Sequence, residues 1–240
     1  MNKRAPLIGI STDVEVRPET RPPRPFYMLD ETNARALIAS GATPVLLPPE
    51  PECVEAYLEL CDGLIVSGGG YQFQVPQLFR HDGTEPPEKE RRFRFEAALL
   101  RGAMARNLPV LAECGGFQVL NHVTGGELVV SLAQAREDWA RHLGEGPRVE
   151  VHAVHVQPGT QLERIVGVAA FPTNSLHRQG VVKAGPGAVV SGLTDDGIVE
   201  AIEVPGQRFC IGTQWHPEFL NCEPERRLFE AFVRACHEGR

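Results

Sequence analysis

Between residues 6 and 123, short apolar segments take turns with helical patterns. PLIGIS (6–11), TPVLLP (43–48), DGLIVSGGG (62–70) and PVLAE (109–113) read as strands. Residues 27–40, closed by Gly41, and residues 52–61, 89–106 and 115–123 read as helices. In the third of these, Phe93, Ala97, Leu100 and Met104 form one apolar helical face. Short strands with helices between them need crossover connections, so they pair in parallel and are covered on both faces. The second half changes character: 149–156, 167–171, 187–193, 197–204 and 208–213 are mostly strands, and 223–236 closes the chain as a helix. The stretch from Thr12 to Phe26 is rich in Pro, Arg and Glu and reads as a loop. The expectation is one α/β domain over 1–240, with a mostly parallel central sheet flanked by helices and extra antiparallel strands in the second half.

Composition narrows the function classes. The chain has 240 residues, 24 Lys and Arg against 31 Asp and Glu, and a net charge of −7. With no basic stripe, that balance argues against nucleic acid and anionic membranes as partners. No apolar run approaches the roughly 18 residues needed to span a bilayer. The apolar stretch Pro6–Ile10 is too short for a signal-peptide core, so a cytoplasmic location is expected. Six cysteines, at 53, 61, 114, 210, 222 and 236, form no CxxC pair. In such a chain most are expected to be buried small hydrophobes rather than parts of a disulfide framework.

Cys114 needs another explanation. In PVLAECGGFQVLN (109–121) an apolar strand ends at Glu113, Cys114 follows, and Gly115-Gly116 open a helical pattern. A tight strand-to-helix turn lifts its central side chain above the sheet edge, and it needs small neighbours, here Ala112 and Gly116. A helix N-terminus at the sulfur favours thiolate, the nucleophilic form. Alone, Cys-Gly-Gly is more often a buried cysteine in a glycine turn. QWHPEF (214–219) offers a partner base: His216 follows a strand, and Glu218 lies close enough to orient the imidazole. VSGGG (66–70) places bare backbone N–H groups directly after a buried strand, where they could face an oxyanion.

In that order, strand–GGG, strand–ECGGFQ–helix and strand–QWHPE resemble the class I glutamine amidotransferase family, over nearly the whole chain. The chain is most similar to its γ-glutamyl hydrolase branch, which includes bacterial γ-glutamyl-GABA hydrolases. Supporting stretches are 26–49, 91–128, NSLHRQGV (174–181), DGIVEAIE (196–203) and GTQWHPE (212–218). The resemblance implies a flavodoxin-like α/β fold and attack on a γ-glutamyl amide, through a glutamyl thioester that water hydrolyses. It implies Cys114 as nucleophile, His216 as general base and then acid, and Glu218 as orienter. It places the oxyanion hole at the N–H groups of Gly115 and of Gly69 or its neighbour, and Gln118 near the glutamyl group. Asn174, Ser175 and His177 match the branch's asparagine-serine-x-histidine stretch, which makes His177 a candidate substrate contact or pocket wall. The implied chemistry needs no cofactor and no metal, and no His/Cys cluster shows ligand spacing in the sequence. His152 and His155, three apart in a strand, point to opposite faces and read as structural.

Three positions depart from the branch. The elbow reads Ala112-Glu113-Cys114-Gly115-Gly116 where glycine-isoleucine-cysteine-arginine-glycine is usual. Tyr71 follows the glycines where an aspartate is common, and Arg178 replaces a second histidine. At a strand end successive side chains point apart, so Glu113 is expected to face away from Cys114 and make its own hydrogen bonds. The elbow string also resembles the glutaminase domains of cobyrinate-type amide synthases. The expected partner is a small γ-glutamyl substrate, with an altered leaving amine, and a homodimer is compatible with the sequence. The alternatives are a glutaminase subunit feeding ammonia to a partner synthase, a non-catalytic binding member, and a biosynthetic amidase that removes a γ-glutamyl protecting group.

Overall fold

The structure is a computed structural model that describes residues 4–17, 19–69 and 87–238. Five strands form a parallel unit in the order β4 (Thr43–Leu47), β1 (Leu7–Ser11), β5 (Gly63–Val66), β6 (Val110–Glu113) and β13 (Cys210–Thr213). The sheet continues antiparallel from β13 through β12 (Val199–Glu203), β11 (Val189–Leu193) and β8 (His152–Val156) to β9 (Ala170–Thr173). A branch pairs β10 (Gly180–Lys183) with β12 and with β7 (Glu127–Val129). The fold class expected from the sequence holds, and the antiparallel strands lie beyond β13.

Alternation along the parallel strands distributes two cores. Ile8 and Ile10 on β1, Ile65 on β5 and Leu111 on β6 face one side, where they join Leu37, Phe229 and Phe232. Those residues come from α1 (Glu31–Ala39) and α7 (Glu223–Glu238). Leu64, Val66, Val110 and Ala112 face the other side and join Phe95, Leu99, Phe117 and Leu120 from α3 (Pro87–Ala105) and α4 (Gly115–Val123). The period of two in a strand accounts for the division, and helices on both faces account for the near-continuous apolar runs.

The hydrogen-bond pattern departs from the sequence reading at residues 12–26. Part of the stretch read as loop is a hairpin of β2 (Asp13–Arg17) and β3 (Arg24–Met28), in register from Asp13↔Met28 to Arg17↔Arg24. Proline content misled the reading: each strand of a two-stranded ribbon has only one neighbour, so Pro25 can turn its missing N–H outward. The helix expected over 27–40 begins at Glu31, because Tyr27 and Met28 belong to β3. The Asp30 side chain caps it, accepting from the Thr32 N–H at 2.9 Å. Further elements lie outside the sequence reading: the helices α6 (Gln161–Val166) and the short α5 (Leu132–Ala135), and the strands β7 and β10. α2 (Val54–Leu60) falls within the expected span. All six cysteines are free; Cys53 and Cys222 are only half-buried. Among the described residues no helix is long and apolar enough to cross a membrane.

Candidate functional site

Cys114 sits between β6 and α4 with φ +47° and ψ −102°, a conformation that L residues rarely adopt. The turn closes because position 116 has no side chain: a Cβ there would lie 2.1 Å from the Val66 carbonyl oxygen. α4 starts directly after the sulfur-bearing residue, so its first N–H groups and positive dipole end lie beside the thiol. The Cys114 N–H donates to the Thr213 carbonyl at 2.8 Å, which ties the elbow to the neighbouring strand β13.

That strand delivers the second group. β13 pairs with β6 up to Thr213↔Glu113, and the chain then runs through Gln214 and Trp215 to His216. His216 Nδ1 lies 2.7 Å from Glu218 Oε1 in the short 3₁₀ turn Pro217–Phe219. Burial disfavours the imidazolium, but the Glu218 carboxylate and the Cys114 side chain beside the ring outweigh it. The pKa of His216 is raised well above the usual histidine value. A thiol, an imidazole and a carboxylate in this chain of contacts allow the ring to take a proton from sulfur and hold it.

Gly68 packs against both groups: a Cβ there would lie 3.0 Å from His216 Cε1 and 3.5 Å from Cys114 Cβ. Arg92, fully buried on α3, was not read from the sequence. Its Nη2 donates to the carbonyls of Ser67 (3.0 Å) and Gly68 (2.9 Å), its Nε to Glu96 (2.9 Å), and its Nη1 pairs with Asp13 (2.9 Å). Across a trans peptide the N–H points opposite to the C=O. The Gly68 and Gly69 N–H groups are therefore turned away from Arg92. A Cβ on Gly69 would strike Arg92 Nη1 at 1.9 Å, so the guanidinium and the bare glycine require each other. Gly70 and Tyr71 lie outside the described residues.

A cavity of about 850 Å³ opens over this arrangement. Gly68, Gly69, His216 and Glu218 line it, and β2 and β3 give it a further wall through Asp13, Val14, Val16 and Met28. Asp13 meets Lys89 at 2.5 Å as well as Arg92. Burial pushes its carboxyl pKa up, but the two cations hold it below the usual value.

The remaining expected residues are placed around these groups. Asn174 exchanges two hydrogen bonds with the His216 backbone, at 2.9 and 3.0 Å, and donates to Pro147 O. The Ser175 hydroxyl donates to His142 O at 2.5 Å. The Gln118 amide donates to Gln214 Oε1 at 3.0 Å, and Gln214 Nε2 lies 3.6 Å from Cys114 Sγ. The polar groups of Asn174, Ser175 and Gln118 are thus engaged within the protein. Gln214, unread before, touches the sulfur. Glu113 makes its own hydrogen bond, accepting from Asn33 on α1 at 2.6 Å, while its carboxyl stays near Glu218, His216 and Cys114. Complete burial and the nearby Glu218 carboxylate push its pKa well up.

His177 turns elsewhere. Its Nε2 lies 3.3 Å from Glu200 Oε1, with His142 and His152 converging on the same carboxylate. The four ligand-type atoms lie within 4.8 Å of one another. A cluster of this geometry was not expected, because its members come from four separate segments with no short spacing among them. His152 and His155 do point to opposite faces, with side chains 15% and 46% exposed.

Residues 6–218 match the family model described as Peptidase C26. The γ-glutamyl-γ-aminobutyrate hydrolase PuuD of Escherichia coli K12 is 34% identical over 87% of this chain and 86% of its own length. Protein NtpR of Enterococcus hirae is 30% identical over 95% and 98%. Among solved structures, a protein of Thermoplasma acidophilum, provisionally assigned to GMP synthase, superposes with a TM-score of 0.67 at 15% identity. The match covers 99% of this chain and 96% of that one. A glutamine amidotransferase from Methylobacillus flagellatus gives 0.58 at 20% identity, over 90% and 71%. Both structures share the fold.

Proposed function

We propose a function for a chain that belongs to the peptidase C26 family of class I glutamine amidotransferase-like hydrolases: cysteine-dependent hydrolysis of a γ-glutamyl amide in a small-molecule conjugate. The observation that carries this reading is the contact chain from Cys114 through His216 to Glu218, the last two of which line a cavity of about 850 Å³.

In this reading His216 takes the proton from Cys114, and the sulfur attacks the γ-carbonyl carbon. The tetrahedral oxyanion is met by the N–H groups of Gly115 and Gly69. The orientation that Arg92 imposes on the Gly69 peptide supports the second donor. His216 then protonates the leaving amine, the C–N bond breaks, and a glutamyl thioester remains on Cys114. Water, deprotonated by His216, attacks the thioester and releases glutamate and the thiol. Glu218 keeps the ring in one tautomer and stabilises its charged form through both halves. Gln214 flanks the sulfur, and Gln118 acts behind it.

The wall of the cavity bears on the leaving amine. Glu15, Asp30, Glu31 and Glu88 stand beside the single lysine, Lys89, among the described lining residues. A cationic amine suits such a wall better than a carboxylate-bearing one.

Glutamate release from glutamine, γ-glutamyl-GABA, γ-glutamyl polyamines and γ-glutamyl peptides tests the reading, with Cys114→Ala as control. Cysteine-dependent release from one amine conjugate, with glutamine poor, is expected. Activity that survives in Cys114→Ala would overturn the mechanism. Silence across the panel, with activity only on adding a co-purifying synthase, would replace hydrolysis by ammonia supply.

A further inference from the structure

Four side chains meet away from the proposed nucleophile. His142 ends the 3₁₀ turn Glu137–His142, His152 opens β8, His177 follows β9, and Glu200 lies on β12. His142, His177 and Glu200 are buried, and His152 is nearly so. Glu200 Oε1 lies 3.4 Å from His142 Nδ1, 3.7 Å from His152 Nε2 and 3.3 Å from His177 Nε2. Among the described residues none of these three nitrogens, and neither carboxylate oxygen, has a hydrogen-bond partner.

The outer nitrogens explain why. His142 Nε2 lies 3.0 Å from Asp196 Oδ2, and His177 Nδ1 lies 2.7 Å from the Gln179 carbonyl. A carbonyl and an ionised carboxylate only accept, so each outer nitrogen carries the hydrogen. In the neutral rings the inner nitrogens are then lone pairs, aimed at a carboxylate that also offers lone pairs. Buried acceptors facing one another need a positive charge between them, either a proton on a ring or a bound metal ion.

The three nitrogen distances to Glu200 Oε1 fit a metal ion, and all four ligand atoms lie within 4.8 Å of one another. A tetrahedral ion with bonds of about 2.0–2.1 Å holds neighbouring ligand atoms about 3.3 Å apart. Imidazole ligands braced at the far nitrogen by a carboxylate or a backbone carbonyl are the usual supporting arrangement at such ions. Three imidazoles and a carboxylate suit a divalent transition metal rather than magnesium or calcium. Four protein ligands leave no open position, which is the pattern of an ion that holds structure.

We propose that His142, His152, His177 and Glu200 bind one divalent transition-metal ion, zinc by geometry. The ion ties the 137–142 turn and the loop after β9 to β12. That loop also carries Asn174, which grips the His216 backbone, and Gln179, whose carbonyl lies 3.4 Å from the Gln118 amide. The proposal depends on none of the roles assigned to Cys114, His216 or Glu218.

The test uses the full chain. Protein purified without chelator is assayed for metals by mass spectrometry, stripped, and titrated with Co²⁺ and with Zn²⁺. The expected result is about one equivalent per chain, intense visible Co²⁺ bands of a tetrahedral site, and a rise in Tm when Zn²⁺ is restored. His152→Ala, at the least buried ligand, should weaken binding at least about tenfold, whereas His155→Ala on the outer face should leave it unchanged. Stripped wild-type protein that takes up neither ion and shows no Tm shift would overturn the proposal, whatever the variants do. Equal binding by His152→Ala and wild type would overturn it as well.

Discussion

Asn174 and His216 exchange two hydrogen bonds: the asparagine carboxamide accepts from the His216 N–H at 2.9 Å and donates to the His216 carbonyl at 3.0 Å. A side chain that satisfies both backbone groups of one residue fixes where its ring starts. Asn174→Ala should therefore lower kcat by about 10–100-fold with little change in KM, the scale on which small misplacements act. Asn174→Asp keeps the acceptor and loses the donor, so it should fall between. Steady-state kinetics on the preferred γ-glutamyl conjugate decide; an unchanged kcat in Asn174→Ala would remove this residue from the positioning of His216.

Glu218→Gln keeps the size of the proposed orienter and removes its charge. The Glu218 carboxylate is a main reason the His216 pKa stands high, so its loss should lower that pKa. The expected cost is about 10²–10⁴-fold in kcat. The limb of the pH–rate profile that His216 governs should move to lower pH. The profile from pH 5 to 10 reads both.

Two glycines separate stability from activity. At Gly116 a methyl group would sit 2.1 Å from a backbone oxygen that cannot retreat. Gly116→Ala should cost at least about 2 kcal/mol, or roughly 4–8 °C in Tm for a chain of this size. At Gly68 the added Cβ meets His216 Cε1 at 3.0 Å and clears Cys114 Cβ at 3.5 Å. Gly68→Ala should keep Tm within about 2 °C and reduce kcat by about tenfold or more. Thermal melts and rates on the two variants check the contrast.

Glu225 on α7 is nearly inaccessible, and burial raises its pKa to about 8 from the usual 4.5. The folded chain then keeps a proton that the unfolded chain releases near 4.5. Stability falls as pH rises from 4.5 towards 8, by up to about 1.4 kcal/mol per pH unit from this group alone. Glu225→Gln cannot ionise and should flatten that decline. Urea melts at pH 5, 6.5 and 8 compare the slopes.

How much could be read beforehand follows from where the information lies. Cys114 directly follows β6, and His216 and Glu218 lie in the turn after β13, each inside a short string with its own turn chemistry, so linear order marked them as candidates. The sheet was legible because its central strands bury both faces and are apolar throughout. Arg92 escaped because a buried arginine on an Arg-rich helix looks in sequence like its half-buried neighbour Arg91 and the exposed Arg94; its contacts with Asp13 and with the carbonyls of Ser67 and Gly68, 24 or more positions away, distinguish it. The β2–β3 hairpin was hidden by its prolines. The cluster of His142, His152, His177 and Glu200 carried no spacing signal, since two strands, a turn and a loop assemble it. One clue was available: a glutamate within VEAIE, all five residues of which are buried, needs positive partners.

Cys114 and His216 are about a hundred positions apart in sequence, yet their strands β6 and β13 are neighbours, and the Cys114 N–H is bonded to Thr213. The spacing between the proposed nucleophile and base is set by one ladder of main-chain hydrogen bonds inside the sheet. Amide hydrogens at Cys114 and Gln214, the latter bonded to Glu200 O at 2.7 Å, should exchange with deuterium only when the sheet itself opens. Heat would then silence the chemistry and melt the fold in a single event, and preserving that ladder preserves the working life of the protein.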